Sequence, residues 1–365
     1  MRLRYCHTPA WLVVTAWLIF GVACSESSAT HNSDSDKPLT HLSDYGFFEG
    51  PLHELNPAEG VIPFTVNSPL WADNAAKGRF IVLPPGGTIT FSDTEDWLFP
   101  LGTTFIKTFY FDLDKTQDGG PYRIVETRLL VLYEAGWKSH IYIWNENETE
   151  AVRHVAGMDV WIDMIDAEGT TVEQRYIVPN KNECGNCHER DDVLLPLGPV
   201  ARQLNSMIDT NEGSTNQLGV WESMGMFTEA LPAPDSYSTL INPYDPSGDL
   251  NWRARSWLDA NCAHCHRPGS GGGSTGLDLR STVTNPTKLG VCKTPVAAGS
   301  GTGGKAVDIS PGQPDKSILM FRISTLDPEI KMPELPNLLA DEQGMDLIRD
   351  WILGMEPVGC GDEID

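Results

Sequence analysis

Positive charge is scarce in this chain: 26 Lys and Arg residues stand against 50 Asp and Glu, a formal net charge of −24. A surface of that sign repels phosphate backbones and anionic lipid heads, which excludes nucleic acid as a partner and favours a basic protein. Long apolar runs are missing beyond residues 10–23. With 40% apolar and 21% charged residues, the composition is that of a globular body, which excludes disorder and multiple membrane spans. Cysteine and histidine are rare too, 8 and 9 among 365 residues, so a fixed order among them carries information. The length exceeds one ordinary core and predicts two domains.

The chain starts Met1-Arg2-Leu3-Arg4, and the apolar stretch from Ala10 to Ala23 ends in Gly21-Val22-Ala23-Cys24. Basic residues, a short apolar core and small residues before a cut site predict a secretory signal peptide over 1–23, too short to span a bilayer comfortably. Cys24 stands where a lipoprotein cysteine stands in a bacterial lipobox. Lipidation of Cys24, and with it a lipid anchor on the periplasmic face of the outer membrane, is therefore expected; cleavage without lipid leaves a periplasmic protein. Residues 24–40 are polar and rich in Ser and Asp, a flexible tether. Cleavage removes Arg2 and Arg4 and takes the net charge from −24 to −26.

Cys6 leaves with the signal, and four of the remaining cysteines form two copies of one pattern. These are Cys184-Gly185-Asn186-Cys187-His188 and Cys262-Ala263-His264-Cys265-His266. At this composition roughly 0.004 such pentads are expected by chance, and two on the order of once in 100,000 chains. Two thiols three positions apart each add to one vinyl group of the same haem, and the adjacent histidine then ligates the iron. Two covalent haem c groups are predicted, one on Cys184, Cys187 and His188, the other on Cys262, Cys265 and His266. A zinc site needs four converging ligands, and a thioredoxin-like pair needs neither the trailing histidine nor this sequence context. Cys292 and Cys360 remain, an even pair in an oxidising compartment, and predict a disulfide.

Residues 41–178 read as β structure. Branched and aromatic runs such as Phe105 to Phe111 and Tyr122 to Tyr133 alternate with Pro, Gly, Asp and Asn turns, which predicts an antiparallel β-sandwich. Asp112, Asp114, Asp118 and Gly119 fit a solvated hairpin turn better than a calcium loop, and His140 and His154 are ordinary strand residues. Residues 179–365 predict a mainly α, cytochrome c-like diheme domain, with haem regions at 179–245 and 246–365. The expected fold class is thus α+β: a β-sandwich followed by that helical domain. Leu250 to Asn261 and the segment around Met345 to Met355 carry helical spacing and need each other as partners. Between them Lys331-Met332-Pro333 is an extended loop, because Pro333 pushes Met332 out of helical geometry. A methionine on such a loop predicts Met332 as sixth ligand of the second iron. The first motif has no such downstream loop.

Several strings resemble a family of secreted bacterial diheme c-type cytochromes with a β-rich N-terminal region. They are Ser68-Pro69-Leu70-Trp71, Phe99-Pro100-Leu101-Gly102-Thr103, Arg202-Gln203-Leu204-Asn205, Asn261-Cys262-Ala263-His264-Cys265-His266, Pro311-Gly312-Gln313-Pro314 and Lys331-Met332-Pro333. The resemblance implies the same haem-bearing residues and a redox partner protein, either a basic cytochrome or a quinoprotein dehydrogenase, since related haem regions accompany such enzymes. The expected function is electron transfer in the periplasm or at the outer membrane. The alternative is a diheme enzyme, a peroxidase or small-substrate oxidoreductase, with an open iron at the first haem. A third reading makes the β region a docking module.

Overall fold

The computed structural model describes residues 37–360 except 95, 211, 212, 297, 335 and 336. The expected signal peptide, Cys24 and nearly all of the tether lie outside the described residues. The described residues fall within one compact unit. No helix among them is long and apolar enough to cross a membrane.

Strands form where branched and aromatic residues run unbroken. A short ladder pairs β1 (Phe48–Glu49) with β2 (Asn56–Pro57). Then β3 (Val61–Pro63), β4 (Ala76–Val82), β5 (Thr104–Asp112), β6 (Tyr122–Tyr133), β7 (Gly136–Trp144) and β8 (Ala151–His154) pair antiparallel in chain order, making a six-stranded meander. Asp114 shapes the turn from β5 to β6, its carboxylate accepting from the Thr116 amide at 3.0 Å and hydroxyl at 2.6 Å. The acids there build a turn, as the sequence predicts.

Period-two alternation sorts side chains onto two faces. The outer face carries Phe80, Ile106 and Leu129 in register, and with Leu42, Phe47, Tyr142 and Trp144 they bury one core. The inner face is divided into three zones. At one end Ile81 and Phe105 pack beneath Trp221 and Phe227, and at the other Phe109, Phe111 and Ile141 pack beneath a hairpin of β9 (Met158–Ile165) and β10 (Thr171–Val178). Between them a polar row, Arg79–Lys107–Arg128, crosses three strands.

The expected fold class does not form. Strand exceeds helix, 27% against 22%, and the stretch from 179 is not a mainly α domain. Its helices are short: α1 (Gly185–His188) and α2 (Ala201–Leu204) have 4 residues each, and α3 (Gln217–Ser223) has 7. Only α4 (Leu250–Asn261) reaches 12 before α5 (Ile318–Ser324) falls back to 7 and α6 (Glu342–Leu353) returns to 12. Glycines in the left-handed region, among them Gly269, Gly290 and Gly312, turn the chain repeatedly. The β part is not a pair of full sheets either. Its second layer is the two-stranded β9–β10 hairpin, because the segment carrying the first motif takes the rest of the inner face.

The α4 and α6 helices pack against each other around Trp257, Leu258, Ile348 and Trp351. Asp341 caps α6 by accepting from Gly344 N at 2.9 Å and also accepts from Trp257 Nε1 at 2.7 Å and Tyr244 Oη at 2.6 Å. The contact is close enough that a Cβ on Gly344 would lie 2.4 Å from Trp257 Nε1.

Candidate haem-binding site

The first motif sits on one helical turn. Asn180 caps it, accepting from Asn182 N and Glu183 N while Glu183 accepts from Asn180 N, so the turn starts at a fixed point. α1 then places Cys184 and Cys187 on one side, three positions apart. The Cys184 thiol donates to Ser139 Oγ at 3.3 Å, which ties the motif to the inner face of β7. His188 Nδ1 lies 2.8 Å from the Leu195 carbonyl, positioned by the short ladder of β11 (Glu189–Arg190) with β12 (Val193–Leu194). That bond holds Nδ1 protonated and leaves the Nε2 lone pair free. Burial pushes the His188 pKa down to about 4, so the ring is the neutral form a metal needs.

The second motif leaves the C-terminal end of α4. Cys262 ends the helix, and His266 N donates to the Cys262 carbonyl at 2.9 Å, closing the pentad into a turn. His266 Nδ1 stands 3.4 Å from Thr275 Oγ1, whose hydroxyl donates to the Gly272 carbonyl at 2.6 Å. Gly272 lies in a Gly-rich run from Gly269 to Gly276. A Cβ there would lie 2.8 Å from His266 Nδ1, so the bare backbone makes room for the ring. Burial lowers the pKa of His266 and pushes the Cys262 thiol up to about 12.

The two motifs, far apart in sequence, touch. The Cys265 thiol donates to the Asn186 carbonyl, inside the first motif, at 3.3 Å.

Two cavities open beside these motifs, of about 600 Å³ and about 420 Å³, within the roughly 300–1,000 Å³ usual for cofactor sites. Cys184, Cys187 and His188 border the larger with Phe64, Leu70 and Phe105. Cys262, Cys265 and His266 border the smaller with Leu277, Ile318 and Leu319, and Met332 lines that same cavity. Asn186 borders both. A covalent haem needs two thiols, an imidazole with a free ring nitrogen and a cavity beside them, and both sites offer that set, the larger with charged residues as well as apolar ones on its wall. Among the described residues, the larger cavity has His188 as its only histidine on the wall and no methionine. Among those residues, too, no group of three or more His, Cys, Asp and Glu side chains is placed to hold a bare metal ion. Cys292 and Cys360 are joined by a disulfide 68 positions apart, with Cα atoms 4.9 Å apart.

Sequence reading missed the strap that joins the sheet to both motifs. Ser68 Oγ donates to the Ser256 carbonyl at 2.8 Å, and Trp71 N donates to Asn261 Oδ1 at 2.7 Å, just before Cys262. Gln203 donates to the Ser68 carbonyl and accepts from its amide, both at 3.0 Å. Asp73, whose pKa burial raises, accepts from Leu338 N and Leu339 N at 2.8 and 3.0 Å, fixing the stretch after Met332. It also missed the Arg79–Lys107–Arg128 row, although three bases inside strands of so acidic a chain were a visible signal. Burial drives Lys107 well below its ordinary pKa and Arg79 down to about 10, and neighbouring cations push Lys107 further. No protein-family model, curated protein or solved structure matches the chain.

Proposed function

We propose that this protein is an exported electron-transfer protein carrying two covalent haems, one on Cys184, Cys187 and His188 and one on Cys262, Cys265 and His266. The observation that carries the reading is the contact between the two motifs, Cys265 Sγ lying 3.3 Å from the Asn186 carbonyl, which brings the two attachment points together. Bound there, each haem supplies a one-electron couple. The residues of the chain do the rest: four cysteines fix the positions, and the Leu195 carbonyl and Thr275 hydroxyl orient the two imidazoles. Met332, on the wall shared with His266, is the sixth ligand of the second iron, which raises its potential. The net charge of −24 favours a basic redox partner.

An electron paramagnetic resonance spectrum of the matured, oxidised chain tests the carrying observation. Adjacent ferric centres couple magnetically, and Cys262→Ala/Cys265→Ala should leave one uncoupled signal. Two independent signals from the parent chain would refute the contact. A second reading, an enzyme open at the first iron, draws on the absence of methionine and of a second histidine from the described wall of the larger cavity. A high-spin signal that responds to added cyanide would favour it.

A further inference from the structure

Arg79, Lys107 and Arg128 stand directly opposite one another across β4, β5 and β6, and all three line the larger cavity. Like charges in direct register destabilise a sheet, and here they are also shielded from bulk water. Only Arg128 has a carboxylate of its own, Glu126, which its guanidinium meets with Nε at 2.8 Å and Nη2 at 2.5 Å. Arg79 donates to the Lys77 carbonyl at 3.2 Å, and neither it nor Lys107 forms an ion pair among the described residues. The Phe109 ring lies 5.1 Å from Lys107 Nζ and 4.3 Å from the Arg128 guanidinium carbon. An aromatic face tolerates cations without neutralising them.

The acids that border the cavity are engaged or turned outward. Asp73 takes the Leu338 and Leu339 amides, Glu183 takes the Asn180 amide, Glu334 lies 3.9 Å from Arg322, and Glu329 is exposed. Arg79 and Lys107 therefore line the cavity with no ion-pair partner among the described residues, on a three-strand floor beside Cys187 and His188. Guanidinium and ammonium groups held that way recognise carboxylates.

We propose that the Arg79–Lys107–Arg128 row is a carboxylate-binding wall that takes the two propionate groups of the haem tethered at Cys184 and Cys187. The assignment rests on the haem reading above. Within the row, Glu126 already pairs with Arg128, which leaves Arg79 and Lys107 for the two propionates.

The test is a redox titration of the matured full chain, resolved for each haem, after the haem attached to each motif has been counted by mass. In Lys107→Met and in Arg79→Gln one midpoint should fall, because a positive charge near that iron is lost, while the other stays; Lys107→Arg should restore it. Unmoved midpoints with both haems attached would overturn the wall and leave the haem reading standing. A wild-type midpoint that moves with added succinate would assign the row to a free carboxylate instead. A change from low to high spin in Lys107→Met would make Lys107 an iron ligand, which also overturns the proposal. Absence of haem from Cys184 and Cys187 in the parent chain would overturn the haem reading itself.

Discussion

Asp341 bears on the α4–α6 contact more than any other single carboxylate, and replacing it by Asn makes a graded test. Asn caps a helix about as well as Asp, so the bond to Gly344 N is not by itself the loss. The other oxygen of Asp341 accepts from both Trp257 Nε1 and Tyr244 Oη, at 2.7 and 2.6 Å. An indole nitrogen only donates, and an amide offers one accepting end to a site with donors on both sides. Whichever way the substituted amide turns, a donor meets a donor in a buried place, at a cost of about 1–3 kcal/mol, and two charge-assisted bonds weaken as well. Asp341→Asn should therefore destabilise the matured chain by about 2–4 kcal/mol. Urea unfolding followed by near-ultraviolet circular dichroism reads this as a lower midpoint at unchanged slope. Tyr244→Phe alone should cost about 1–2 kcal/mol, and in the double variant roughly 1 kcal/mol of that should vanish, since the phenol has lost its anionic acceptor. A loss below about 0.5 kcal/mol for Asp341→Asn, or full additivity with Tyr244→Phe, would refute the clamp.

Cys292→Ser should cost about 4 kcal/mol in the loop-entropy model, because the disulfide closes a segment spanning 68 positions; thermal unfolding with and without a thiol reductant, which spares thioethers, measures it. His140 is buried against Tyr133, and burial holds its pKa at about 4, below its ordinary value. The unfolded chain binds that proton first, so stability is full above about pH 7 and falls as the pH drops from about 6.5 towards 4. After allowance for screening the loss at pH 5 is about 1–2 kcal/mol, and His140→Phe should abolish that part of the pH dependence in chemical unfolding. Met332→Ala should lower the midpoint of the second haem and leave the first unchanged; an unchanged spectrum and midpoint would remove Met332 from the iron.

The residues of the candidate site were more legible in the sequence than the architecture around them. The CxxCH pentads, the Met332 loop and the helical spacing of α4 and α6 are local signals, written within a dozen residues each. The contact between the two motifs, Cys265 against Asn186, is not local. It depends on the strap from Ser68 to Asp73, whose hydrogen bonds reach Gln203, Ser256, Asn261 and Leu338 far along the chain. The fold class failed for a related reason. Helical periodicity at α4 and α6 was extended to the whole stretch from 179, whereas glycines at positive φ and prolines leave most of it as turns. The Arg79–Lys107–Arg128 row is visible in the sequence only as separate bases, because the register that sets them side by side and the cavity they line come from tertiary packing.

The most direct test of the account is the intact mass of the chain matured in a host with c-type haem assembly, followed by mass analysis of the peptides containing 184–188 and 262–266. Two covalent haems per chain, one on each peptide, is the predicted result. Free thiols on either pentad after full maturation would contradict it.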